Sequence, residues 1–190
     1  MMAATSVKEV ILTEARRIAQ AHGYNGMNFR ELADRVGIKP ASIYHHFASK
    51  ADLGAAVAKR YWEDAAANLE VIHAEEEDPK ASLQRYPEVF RRSLESENRL
   101  CLGSFMSAEH DDLPKVVMNE VHAFADVNVA WLSRMLVSAK IVSSTVAAET
   151  RARAIFASIT GAQLMARSRS DIGLFDSLVG AYREAGLLPA

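Results

Sequence analysis

Cysteine is nearly absent from this sequence: Cys101 is the only one in 190 residues. One thiol cannot close a bridge within the chain, which excludes a disulfide-framed fold and fits a reducing compartment. Five Pro and nine Gly are too few for a collagenous or low-complexity chain. No apolar run approaches the roughly 18–20 residues that span a bilayer. The first twenty residues lack an apolar leader core, because Lys8, Glu9, Glu14, Arg16 and Arg17 interrupt them. Sustained period-two alternation is missing, which argues against a sheet. So are the GxSxG, HExxH, Walker A and GxGxxG patterns and any Cys/His metal spacing. The expectation is a cytoplasmic chain with no membrane partner, no cofactor, no metal site, no catalytic residue and no enzymatic activity.

What the chain does have is core-forming material, 49% hydrophobic, and an uneven distribution of charge beneath a net of −2. Residues 1–60 carry nine Lys/Arg against five Asp/Glu, a local charge of +4, while the rest carries −6. A basic head on an acidic body points to a head that meets an anion.

The apolar spacing is helical almost throughout. Val7, Ile11, Ala15, Ile18 and Ala19 form one stripe, capped by Ser6-x-x-Glu9 and stopped by Gly23. Asn28-x-x-Glu31 opens a second helix that stops at Gly37. Pro40 opens a third, and Ser49-x-x-Asp52 a long fourth. Five more follow: one over about 80–97 with a bend at Pro87, one over about 100–109, one opened by Asp111-Asp112-Leu113-Pro114 and running to about Lys140, one capped by Ser143-Ser144-Thr145 and running to about Arg169, and one over about 171–186. Glu109-His110-Asp111-Asp112 is expected to be a solvated helix start. The fold class is therefore all-α, about nine helices: a three-helix head with a helix-turn-helix, then a helical body.

Residues 28–47 carry the functional signal. A helix of about eight residues ends at Gly37, and a second of about seven follows a short turn. Leu32, Ala33, Val36, Ile38, Ile43 and Phe47 supply one apolar seam, and Gly37 permits the positive φ of a tight helix-helix turn. The outward residues of the second helix are Lys39, Ala41, Ser42, Tyr44, His45 and His46. Small residues followed by hydroxyls and rings suit a helix laid end-on into the major groove. Lys50, at the start of the next helix, adds a phosphate contact. The adjacent His45 and His46 point about 100° apart on a helix and cannot chelate one ion together.

The stretch Ile18-Ala-Gln-Ala-His-Gly-Tyr-Asn-Gly-Met-Asn-Phe-Arg-Glu-Leu-Ala-Asp-Arg-Val-Gly-Ile-Lys-Pro-Ala-Ser-Ile-Tyr-His-His-Phe-Ala-Ser-Lys-Ala-Asp-Leu53 resembles the TetR-type (TetR/AcrR) transcriptional regulators. The Gly-Tyr turn, the Leu-Ala…Val-Gly core and the Tyr-x-His-Phe-x-x-Lys-x-x-Leu ending carry the likeness, over about residues 6–60. The resemblance implies an all-α homodimer. Residues 6–66 would form the DNA-binding domain, and 67–190 a ligand-binding and dimerisation domain. It adds Arg30 to the DNA-contacting set. Three positions depart from the family pattern: Lys39 replaces a common Ser or Thr cap, Pro40 a Lys or Gln, and Phe29 a small hydroxyl residue. An operator sequence therefore cannot be borrowed from a relative.

In the body, any cavity must draw its walls from Met and aromatic residues, which adapt to varied ligands. The candidate ligand set is Phe90, Phe105, Met106, Phe124, Trp131 and Phe156, with His122, Gln163 and Cys101. Two apolar stripes form the expected dimer face: Ile155, Ile159, Ala162 and Ala166, and Leu174, Leu178, Val179 and Tyr182. The function expected is a dimeric repressor that binds a palindromic duplex operator and is released by a small-molecule effector. Two alternatives stand beside it: a switch by thiol modification at Cys101, near a helix amino terminus where thiolates are favoured, and a helical adaptor that does not bind DNA.

Overall fold

The computed structural model describes residues 6–190, and no strand occurs among them. Nine α-helices run in chain order: α1 Val7–His22, α2 Phe29–Val36, α3 Pro40–Tyr44, α4 Lys50–Glu75, α5 Pro79–Glu95, α6 Leu102–Ser107, α7 Lys115–Ser138, α8 Thr145–Arg169 and α9 Ile172–Glu184. A 3₁₀ turn, His110–Asp112, precedes α7. None of the described helices is long and apolar enough to cross a membrane.

The helix starts lie where short polar side chains can satisfy orphan amides. Ser6 Oγ accepts from Glu9 N at 3.3 Å, and Asn28 Oδ1 from Arg30 N at 2.8 Å. Asp52 N donates to Ser49 Oγ at 3.1 Å, while that hydroxyl donates to Asp52 Oδ2 at 2.8 Å, closing the box ahead of α4. Gly37 ends α2 in the left-handed conformation, φ 75° and ψ 33°. Helix α5 runs unbroken past Pro87 from Pro79 to Glu95.

The chain forms two compact units. The first is the described part of Met1–Trp62 together with Leu102–Phe124; the second is Glu63–Cys101 with Ala125–Ala190. The boundary expected between residues 66 and 67 falls inside α4, and the first unit also takes in α6 and the start of α7. Its core is Ile11, Ala15, Ile18, Leu32, Ala33, Ile43, Leu53 and Val57, all buried, with Met106, Val117 and Phe124. Gly103 lets α6 lie against Phe124, since a Cβ there would stand 2.3 Å from Phe124 Cδ1. The second unit is built on Leu69, Ile72, Leu83, Tyr86, Phe90, Leu94, Leu132, Leu136, Ile155, Ile159 and Phe175. Burial of side chains of this kind stabilises by about 1.5–3 kcal/mol each.

Candidate nucleic-acid interface

Helices α2 and α3 stand on a buried seam of Leu32, Ala33, Ile43 and Phe47. Across Gly37 the chain reverses tightly, with Ile38 N donating to Ala33 O at 3.0 Å. Helix α3 has no side-chain cap at Lys39; Pro40, at its first turn, supplies the fixed φ instead. Lys39, Pro40, Ala41 and Tyr44 are exposed, and Ser42 is half-buried. Tyr44, 58% exposed, has its ring held edge-on by Phe29, centroids 4.8 Å apart. Phe29 thus braces α3 from the first turn of α2, which fixes the ring while the phenol end stays at the surface. Arg30 is exposed beside it, its amide bound to the Asn28 cap.

Two expectations about this surface need correction. Helix α3 is five residues long, ending at Tyr44, so His45 and His46 lie beyond it. His46 N bonds to Ile43 O at 2.9 Å, a tightened i+3 turn that brings Phe47 into the core before Ser49 caps α4. Both histidines are exposed in that turn rather than on a recognition helix. Lys50 is partly committed elsewhere. Its Nζ donates to Asn25 O at 3.1 Å and sits 4.7 Å from the Tyr24 ring centroid.

The turn that Lys50 grips is held from a second side. The Glu109 carboxylate accepts from Tyr24 N at 2.6 Å and Asn25 N at 3.2 Å, and Asp112 Oδ2 accepts from Asn25 Nδ2 at 2.9 Å. Glu109 and Asp112 are therefore anchors of the α1–α2 turn rather than a solvated helix start. Gly23 makes the approach possible: its φ of 71° with ψ of −172° suits glycine, and a Cβ would lie 2.4 Å from Glu109 Oε1. Burial pushes the Tyr24 phenol above its ordinary value. Trp62 Nε1 donates to Glu120 Oε2 at 2.7 Å, and Arg60 pairs with Glu9 at 2.6 Å, fastening α4 to α7 and to α1 within the same unit.

The candidate ligand residues divide between the units. Phe105, Met106, His122 and Phe124 belong to the first; Phe90, Cys101, Trp131, Phe156 and Gln163 to the second. His122 is exposed on α7 and lines no interior. Phe124 is buried against Tyr61, ring centroids 5.3 Å apart. Gln163 is fully buried and used structurally: its Nε2 donates to Phe90 O at 2.7 Å and its Oε1 accepts from Cys101 N at 3.0 Å. Cys101 is 2% exposed, which shields the thiol from reagents in solution.

Around α7 the second unit holds a buried aromatic and polar group. Tyr86 stacks on Trp131 at 5.9 Å, tilts against Phe90, and donates its hydroxyl to Asn128 Oδ1 at 2.8 Å. Complete burial pushes the Tyr86 phenol well above its ordinary value. Beside this group is a cavity of about 330 Å³, lined by Ala66, Leu69, Glu70, Val127, Ala130, Trp131 and Arg134. Of the candidate ligand residues only Trp131 lines it. A larger groove of about 590 Å³ runs between α7 and α8, past Val129, Ser133, Val137, Thr145 and Arg153. Among the described residues, no cluster of His, Cys, Asp and Glu is arranged to hold a metal ion.

The expected dimer stripe on α8 is core. Ile155, Ile159, Ala162 and Ala166 are all fully buried within the chain itself. The stripe follows the helical repeat, but the face it defines packs inward. The outward face of α8 carries Ala154, Ala157, Gly161, Leu164 and Met165. On α9, Val179 is buried, while Leu174, Leu178 and Tyr182 are half-exposed.

Residues 11–57 match the sequence model described as bacterial regulatory proteins, tetR family. The chain is similar to the HTH-type transcriptional repressor AcnR of Corynebacterium diphtheriae, 42% identical over 65 residues. That match covers 34% of this chain and 33% of AcnR, so it spans about a third of the relative's length. Similarity of fold extends over nearly all of the chain. A TetR transcriptional regulator from Legionella pneumophila superposes with a TM-score of 0.88 at 28% identity, covering 97% of this chain and 99% of that one. A TetR-family regulator from Agrobacterium tumefaciens gives 0.86 at 27% identity, covering 94% and 96%.

Proposed function

We propose that the protein is a TetR-family regulator, a dimeric transcriptional repressor which binds a palindromic operator and leaves it when a small molecule occupies the body; the match of residues 11–57 to the tetR-family model and the fold shared with TetR regulators support the family. The observation that carries the reading is the exposed edge of α3. Lys39, Ala41 and Tyr44 project from a five-residue helix whose other side, Ile43, is wholly buried. Such a helix can enter the major groove end-on while Arg30 and Lys39 meet phosphates. Ala41 and Ser42 are small enough to approach base edges. The similar AcnR is a transcriptional repressor, which supports the sign of regulation.

Two copies are needed to read two half-sites, about 34–36 Å apart. The outward face of α8 serves as the dimer seam. Leu164 and Met165 are 57% and 47% exposed, and a Cβ at Gly161 would meet nothing within 4 Å, so a second helix can approach closely there. Effector binding then shifts the population toward a head spacing that no longer fits the operator. Such a protein acts in the cytoplasm, where the DNA is.

The test is a footprint of the purified protein on DNA upstream of its own gene, with affinity measured across a salt series. Protection of two half-sites one helical turn apart, with a steep salt slope, upholds the reading. Equal affinity for every duplex overturns it. Leu164→Glu with Met165→Glu should give a monomer by sedimentation and lose the operator; an unchanged dimer overturns the α8 seam.

A further inference from the structure

We propose that Glu109, which lies outside the helix-turn-helix, is a positioning residue for DNA binding: through the α1–α2 turn it holds the Lys50 ammonium where a phosphate can meet it. This rests on the reading of the first unit as DNA-binding. Asn25 is the link, because three of its polar groups are each taken by a different residue. Its amide donates to Glu109 Oε1 at 3.2 Å, its side-chain Nδ2 donates to Asp112 Oδ2 at 2.9 Å, and its carbonyl accepts from Lys50 Nζ at 3.1 Å. The neighbouring Tyr24 amide donates to Glu109 Oε2 at 2.6 Å. The carboxylate therefore grips two successive amides on one side of the Asn25 carbonyl. On the other side Gly26 N is bonded to His22 O at 3.2 Å and Met27 N to Tyr24 O at 3.1 Å. Held from both sides, the Asn25 carbonyl is aimed at the start of α4.

The second support of the ammonium is the Tyr24 ring, whose centroid lies 4.7 Å from Lys50 Nζ. Tyr24 is 6% exposed, and α4 packs so closely on it that a Cβ at Gly54 would stand 2.7 Å from Tyr24 Cε2. Both supports are neutral, and among the described residues no carboxylate pairs with Lys50. Its charge is held in place without being cancelled, unlike those of Arg17, Arg35 and Arg60, which pair with Glu14, Glu31 and Glu9. An ammonium carries three N–H donors, and one carbonyl takes one of them. A loose lysine gives up rotamers when it meets a phosphate; one already ordered on a carbonyl and a ring does not, and that saving raises affinity. Charge alone predicts the opposite sign for Glu109: deleting its anion lessens repulsion of DNA, so a neutral residue there would tighten binding.

The experiment measures affinity of the full chain by fluorescence anisotropy, on a duplex carrying the footprinted sequence and on a scrambled one, for wild type, Glu109→Gln, Lys50→Gln and the double variant. Glu109→Gln should weaken binding to both duplexes by the same factor, about two- to tenfold for each subunit engaged, because a phosphate contact is blind to sequence. That loss should vanish in the Lys50→Gln background. Asp111→Asn removes the same charge from an exposed neighbour and should not weaken binding. Without DNA, the Lys50 ε-protons of wild type should resonate upfield, shielded by the Tyr24 ring, and should return to the ordinary lysine position in Glu109→Gln. The proposal is overturned if Glu109→Gln tightens binding or leaves it unchanged, if its full loss persists in Lys50→Gln, if the loss is confined to the footprinted sequence, if Asp111→Asn weakens binding as much, or if the Lys50 ε-protons are alike in the two proteins. A wild type that binds neither duplex overturns the DNA-binding reading itself, and this proposal with it.

Discussion

Glu109 is the residue whose removal should say most about how the DNA-binding unit is held together. Its carboxylate accepts a 2.6 Å hydrogen bond from the amide of Tyr24, a residue 6% exposed, and a 3.2 Å bond from the exposed amide of Asn25. Removing the acceptor leaves the Tyr24 amide without a partner in the core, whereas water can replace the bond at Asn25. A hydrogen bond to a charged group contributes about 1.5–3 kcal/mol and an ordinary exposed one about 0.5 kcal/mol. Glu109→Ala should therefore cost about 2–3 kcal/mol. In urea that corresponds to a fall of about 1 M in the midpoint, with the slope unchanged. Glu109→Gln keeps one acceptor oxygen and should lose about half as much. Amide exchange should speed up first at Tyr24 and Asn25, ahead of the buried amides of α1 and α4. A midpoint within about 0.2 M of wild type, or unaltered protection at Tyr24, would refute the anchoring role.

Three further outcomes follow from the same geometry. Phe29→Ala removes the ring that steadies Tyr44 and should weaken operator binding several-fold, in the same direction as Tyr44→Phe, with the double variant no weaker than the worse single one; full additivity by fluorescence anisotropy would separate the two rings. Gly103→Ala places a Cβ 2.3 Å from Phe124 Cδ1 and should destabilise by about 1–3 kcal/mol through overpacking, seen as a lowered thermal midpoint. Burial raises the Tyr86 phenol well above its ordinary 10.0, so the folded chain keeps a proton that the unfolded chain gives up. The stability it contributes is complete below about pH 10 and is lost as pH rises beyond that value; Tyr86→Phe should flatten this alkaline fall in the denaturant midpoint, and an identical fall in both proteins would refute the assignment.

The elements were legible because their punctuation is local. Ser6, Asn28, Ser49 and Ser144 each sit three residues or fewer before the amides they cap, so a one-dimensional pattern contains the whole interaction. The length of α3 was not local. It ends at Tyr44 because Phe47 must reach the core and Ser49 must open α4, and neither demand shows in helix propensity. The same distinction separates α8's correct periodicity from its mistaken partner. A stripe of Ile155, Ile159, Ala162 and Ala166 announces a buried face, but the spacing is identical whether the burying surface is α5 and α9 of the same chain or a second copy. Only the opposite face, with Ala154, Gly161 and Leu164 left exposed, tells the two apart.

The site was legible to the extent that its residues are chemically conspicuous at the surface. Tyr44, Arg30 and Lys39 are exposed polar groups beside a recognisable turn. Their supports were illegible, since Glu109 lies 85 residues from the amide it holds. Acidic runs are normally solvated, and the signal that sets this one apart is Gly23: an approach within 2.4 Å of a would-be Cβ needs both a glycine and a carboxylate, and the sequence shows them too far apart to be linked. Lys50 teaches the converse. A lysine at the start of α4 has the right type and place for a phosphate contact, yet its ammonium is shared between a carbonyl and an aromatic face in the same turn. Its contribution to DNA binding therefore runs through the α1–α2 turn as well as through charge. A Lys50→Ala loss of affinity without a change in salt slope would be the mark of the first route, and a loss accompanied by a slope lower by about one the mark of the second.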